Sequence, residues 1–269
     1  MRSMRSGNPT LREATFEQYR GYESSSTMTL GGTVNKTFML LLFVAATASF
    51  SWNLTGDWRA GIEAAGGAGS ASTAGTAGGG VHPGVLMVGG SILGLIFALA
   101  TIFKKNWAPV TAPLYALSEG FMLGAISALA ELKFPGIAFQ ATCMTFCTLF
   151  GLLVAYKSGL IRATENFKLG LFAAMSGIFM IYMVTWIVGL FGGSMPFIHS
   201  SGAMGIGFSA VVVVIAALNL VMDFDFIEHG AEIGAPKYME WYGAFGLMVT
   251  LIWLYLEILR LLMKTQSRK

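Results

Sequence analysis

Residues 218–262 read LNLVMDFDFIEHGAEIGAPKYMEWYGAFGLMVTLIWLYLEILRLL, two strongly apolar runs joined by a short polar connection. Each run carries carboxylates where a lipid-embedded helix ordinarily carries none: Asp223 and Asp225 toward the end of the first, Glu257 inside the second. A carboxylate at bilayer depth costs about 2.5–3.5 kcal/mol on insertion scales, so such residues face a partner, a cavity or a permeation path. This pair of segments therefore decides the fold class and marks where chemistry should be sought.

The composition of the whole chain agrees with a membrane reading. Its 269 residues are 55% hydrophobic and only 12% charged, whereas soluble domains run near 25% charged. The charges lie between long apolar runs, the pattern of a polytopic helical membrane protein. A net charge of +3, scattered along the chain, does not describe a nucleic-acid-binding surface. Cys143 and Cys147, four apart in one apolar run, read as small buried apolar residues, since helix geometry disfavours a bridge between them.

Seven spans are predicted, at about 36–52, 84–103, 108–130, 136–156, 169–191, 203–226 and 241–263, each near the roughly twenty residues that hydrocarbon requires. Residues 1–35 form a polar tail with no apolar run, which argues against a cleaved signal peptide. The 53–83 connection is a Gly/Ala-rich, low-complexity loop expected to be flexible, with His82 at its edge as a solvated loop histidine. His199, in the connection before the sixth span, reads as interfacial and structural. Residues 264–269 make a basic C-terminal tail, and span two carries GGSILG, small residues that allow close helix packing. Of the Lys and Arg residues, eleven fall on the side of the N-terminal tail and six on the other, so the positive-inside rule places the N-terminus in the cytoplasm. The basic C-terminus then falls outside, against the rule, and the internal loops outweigh it.

The acidic residues divide by depth. Asp223 and Asp225 are expected within a turn of the cytoplasmic end of span six, where they are either solvated at the interface or a site for a proton or a weakly held calcium ion. Glu257 lies deep in its span, with Arg260 three residues on. It either pairs with that arginine or serves an ion path. Glu119, mid-helix in APLYALSEGFMLGAIS, has no basic residue within a turn and is the stronger candidate for a functional intramembrane carboxylate. No GxSxG, Walker loop, HExxH or Cys/His metal pattern occurs, so no enzyme and no resident cofactor are expected.

Four stretches, RSGNPTL (5–11), APLYALSEGFMLGAIS, ATENFK and the C-terminal GAPKYMEWYGAFGLMVTLIWLYLEILRLL, resemble the Bax-inhibitor/YccA family, the transmembrane Bax-inhibitor-motif family, in its bacterial YccA-like branch. The resemblance runs over nearly the full chain. It implies an all-α membrane protein with six helices wrapped around a central seventh. It also implies a pH-sensitive calcium leak gated by aspartates on helices six and seven, with a basic latch at the end of helix two. MDFDFI places Asp223 at the helix-six aspartate, with Asp225 where Asn or Thr is usual, and Lys104 or Lys105 at the latch. Helix seven fits in two registers. Matching LYLE makes Glu257 the second acid, whereas the gap-free register, which we prefer, puts Thr250 there.

Three functions follow as expectations. The first is a pH-modulated cation leak, for calcium held only transiently, at Asp223 and Asp225, with Glu257 and Glu119 further along the pore. The second is a regulator that binds a membrane-embedded quality-control protease through its polar tail. The third is a proton-coupled transporter. The resemblance implies the bacterial cytoplasmic membrane, with the lipid bilayer as the protein's surroundings, and none of the three functions involves nucleic acid.

Overall fold

The computed structural model describes residues 27–64, 81–191 and 202–268, and within them the chain is helical, with no β-strand. The helices are α1 (Leu30–Ala64), α2 (Pro83–Phe103), α3 (Ala108–Lys133, entered through a single 3-10 turn at Lys105–Trp107), α4 (Ile137–Lys157), α5 (Glu165–Leu190), α6 (Ala203–Glu232) and α7 (Met239–Gln266). All seven contain a stretch long and apolar enough to cross a membrane. Hydrocarbon offers no partner for a free N–H or C=O, so an apolar segment crossing it must close its hydrogen bonds internally, and a helix does so.

Helix ends differ from the expected ones in a consistent direction. α1 begins at Leu30 rather than near residue 36 and continues to Ala64, so residues 53–64 are helix and not loop. α6 continues past 226 to Glu232. Hydrophobicity reports where a helix sits in lipid, whereas the hydrogen-bond ladder continues until a cap or a breaker stops it. Thr29 supplies the cap at the start of α1, its hydroxyl accepting from Gly32 N at 3.0 Å. His82 caps α2 in the same way, its Nδ1 accepting from Gly84 N at 3.0 Å, so it has a structural role beyond that of a solvated loop residue. The polar tail up to residue 26, the loop over 65–80 and His199 lie outside the described residues.

Small residues set the packing. On one flank of α3, Gly90 of α2 lies against the Ser118 carbonyl and the Met122 backbone, and Gly94 one turn later lies against the Glu119 side chain. On the other flank, Gly120 and Gly124 of α3 lie against Thr47 and Ala48 of α1. A methyl group at any of the four would collide with the neighbouring helix. Lipid tails give no hydrophobic drive between helices, so this close backbone approach and the dispersion contacts it permits hold the interfaces. Hydroxyls add to them: Ser51 donates to Phe121 O at 2.8 Å across α1–α3, and Thr101 to Thr111 at 2.7 Å across α2–α3.

α3 and α7 are the two most enclosed helices, with 61% and 56% of their apolar windows buried against at most 33% elsewhere. α7 packs on α1, α3, α4 and α6, while α2 packs on α3, and α5 on α6. Cys143 and Cys147 are free and exposed, not buried as expected. α4 turns Ala141, Thr145 and Leu149 inward, and that registry leaves the cysteines on its outer face.

Candidate functional site

Asp223 occupies the α6–α7 interface. α6 runs nine residues beyond it to Glu232, so it lies about 14 Å in from that helix end rather than within a turn of it. Thr250 lies eleven residues into α7, at about 16 Å, so the two side chains meet at one level, about a third of the way along each helix. Thr250 Oγ1 accepts from Asn219 Nδ2 at 3.0 Å. Its single proton can go back to Gly246 O at 3.4 Å or across to the Asp223 carboxyl. The other carboxyl oxygen, Oδ2, is the one buried side-chain polar atom among the described residues with no hydrogen-bond partner. Buried polar atoms are paired in the great majority of cases, so this orphan calls for a functional reading.

Asp225 takes no part in the site. Residues two apart on a helix point roughly 200° apart, so when Asp223 faces α7, Asp225 faces away from it. Asp225 pairs instead with Lys168 of α5 at 3.0 Å, and Lys168 also reaches Glu165 at 3.3 Å. Glu228 accepts from the Tyr156 hydroxyl at 2.5 Å. The expected shared calcium site at Asp223 and Asp225 is therefore not assembled, and no group of three or more potential metal-ligating side chains occurs among the described residues.

Lys104 and Lys105 make no ion pair with Asp223. Lys104 Nζ lies 4.3 Å from the centroid of the Trp107 ring and Lys105 Nζ 5.3 Å from that of Tyr242, both as cation–π contacts at the N-terminal side of the bundle. Lys105 rests on Tyr242, eight residues or about 12 Å before Thr250 along α7, so this end of α2 stops short of the level of Asp223. The latch is not formed in this structure.

Glu257 is buried and saturated. Arg260 Nη1 donates to both of its oxygens, at 2.9 and 3.1 Å, and the Tyr182 hydroxyl of α5 donates at 3.1 Å. Arg260 also donates to Tyr182 at 2.7 Å, which closes the triangle. Of the two sequence alternatives, the ion pair is the one present. Seven residues separate Glu257 from Thr250, about 10 Å along α7, so Glu257 does not share a level with Asp223. Glu119 is likewise buried but belongs to a different interface, lying against Gly94 on the α2 side of α3. Asp223, Glu257 and Glu119 therefore lie apart in this structure, each in its own set of contacts.

One cluster was not anticipated. Glu240, in the first turn of α7, is fully buried, yet every part of its carboxylate is engaged. Lys36 of α1 pairs with Oε2, Lys237 with Oε1 at 3.0 Å, and the Thr29 backbone N–H and hydroxyl both donate to Oε1 at 2.9 Å. Gly32 makes room for it, since any side chain there would occupy the carboxylate's place. Met28 N donates to Ala235 O at 2.7 Å and tightens the same clasp. Its strongest sequence signal was Lys36 at the mouth of the first span, but the partner lies 204 positions away.

Seven long apolar helices, helix interfaces lined by glycines and hydroxyls, and carboxylates buried at those interfaces define a polytopic α-helical membrane protein. A family model described as Bax inhibitor 1 like matches residues 8–267, and the chain belongs to that family. No curated protein and no solved structure matches the chain.

Proposed function

We propose that the protein is a pH-modulated cation leak in which Asp223 is the group that exchanges a proton for a cation. The observation that carries this reading is the orphaned Asp223 Oδ2, closed off from solvent between α6 and α7. A carboxyl oxygen in that position is completed by a proton or by a cation, and the exchange between the two is what a pH-gated leak needs. Around it the polar atoms are few: the Thr250 hydroxyl and the Asn219 amide. Calcium takes six to eight oxygen ligands, so these few groups would hold an ion only weakly, as befits passage rather than storage.

The quoted motifs support placement in the bacterial YccA-like branch, and the excess of Lys and Arg on the N-terminal side supports a cytoplasmic N-terminus in a bacterial inner membrane. The deciding experiment is calcium flux into proteoliposomes from acid to neutral pH, comparing wild type with Asp223→Asn. A pH-dependent leak that loses its pH response in the variant is the expected result. Absence of flux at every pH would overturn it and favour a regulator of a membrane protease instead.

A further inference from the structure

α1 and α4 are not packed against each other; α3 and α7 form the floor between them. The gap is a cavity of about 440 Å³, open on one side toward the position of the bilayer. It runs along α1 from Asn53 down to Leu41, twelve residues or about 18 Å, slightly more than half of the roughly 30 Å hydrocarbon thickness. The cavity is therefore about one leaflet deep, on the side away from the N-terminus.

Its chemistry is graded. At the bottom, Met248, Leu251 and Ile252 of α7 present an apolar surface. On the floor, the Tyr255 hydroxyl bonds Ser127 at 2.6 Å and also engages Thr142, which itself donates to Ala138 O at 2.9 Å. These three hydroxyls thus satisfy one another in an otherwise largely apolar lining, and a cavity of that kind favours an apolar guest over water. At the top are Trp52 and Asn53, an amphipathic ring and an amide at the level where lipid headgroups begin. Pockets that hold small amphiphiles have this size and this balance of apolar wall and few polar groups.

We propose that this cavity is a lipid site, in which one acyl chain of a phospholipid from the leaflet away from the N-terminus lies between α1 and α4 against α7. Its headgroup sits beside Trp52 and Asn53. The occupant is an acyl chain because the open side faces hydrocarbon, the inner polar atoms are already paired and the depth matches one leaflet. The site differs from general lipid contact in reaching Ile252 and Tyr255 of α7, which line the cavity behind α1 and α4. It stands whether or not the protein conducts ions.

The test uses the full chain in vesicles containing a phospholipid with a photoactivatable diazirine near the end of one acyl chain, with adducts located by mass spectrometry. The expected result is adducts on Ile252 or Tyr255 of α7, in addition to the outward-facing Val88 and Ile92 of α2. Ala45→Trp, which fills the cavity, should remove the α7 adducts and leave those on α2. Ser49→Trp at the exposed mouth should do the same, should Ala45→Trp not fold. Adducts confined to outward-facing residues would overturn the site, as would α7 adducts that persist in both variants. Crosslinks joining two copies through α1 and α4, or joining residues 65–80 to α7, would assign the cavity to protein and equally overturn it.

Discussion

Two carboxylates shut away from water, Asp223 between α6 and α7 and Glu240 between α7 and the start of α1, are treated in opposite ways. Glu240 has two lysines and two Thr29 donors on its two oxygens, while Asp223 has a single hydroxyl to share and an oxygen with nothing. The contrast teaches how to read a buried charge in this protein. A carboxylate whose partners come from two separate segments fastens them to its own helix, and altering it should damage the fold. One left incomplete inside the bundle contributes little to holding α6 on α7, and altering it should damage a response instead. Glu257, held by Arg260 and Tyr182, belongs with Glu240 on this scale.

The contrast can be broken most forcefully at Glu240. Glu240→Ala leaves Lys36 and the Thr29 donors without their acceptor, and a loss of about 3 kcal/mol is expected, since removing one partner of a buried pair strands the other. Thermal unfolding in detergent measures it, and an unchanged midpoint would end the fastening role. Within the same cluster Lys237→Ala should cost less than about 1 kcal/mol, because that lysine is half exposed and screened.

Glu257→Gln and Arg260→Gln come next, at about 1–2 kcal/mol each, for the loss of charged hydrogen bonds. Both should leave any calcium flux as it was. A flux change in Glu257→Gln absent from Arg260→Gln would return Glu257 to the ion path.

Thr250→Asp sharpens the comparison from the other side. It sets a second carboxyl beside Asp223, and two carboxyls at that spacing share a proton. The pH profile of the flux should change position as well as height, whereas a profile unmoved along the pH axis would separate Thr250 from the titrating group. The smallest effect on stability is expected for Asp223→Asn, within about 0.5 kcal/mol of wild type because it keeps shape and removes no ion pair. A large loss of stability there would class Asp223 with Glu240.

Much of the architecture was legible because hydrocarbon makes a simple demand. Each crossing needs a long apolar run, and seven such runs stand between the charged segments. Asp223 was legible for the same reason, as a charge in the wrong solvent. Its depth was not, because apolar residues stop marking α6 near 226 while the helix continues to Glu232. Asp225 looked like a companion of Asp223, being two positions away, but helical rotation turns it toward Lys168 instead. Glu240 escaped notice because it sits where a helix leaves a polar connection, a place in which acidic residues are ordinarily solvated. Nothing local to it announces Lys36 or Thr29.

The sequence by itself determined the fold class, the seven crossings and the presence of carboxylates in a medium hostile to charge, since each depends on a residue and its solvent alone. The tertiary structure decided which of those carboxylates are paired. Pairing depends on which helix faces meet and at what height, and that is settled by the packing of the whole bundle: Gly32 admitting Glu240 beside Lys36, Tyr182 reaching across from α5 to Glu257, and Thr250 meeting Asp223 with one oxygen left over.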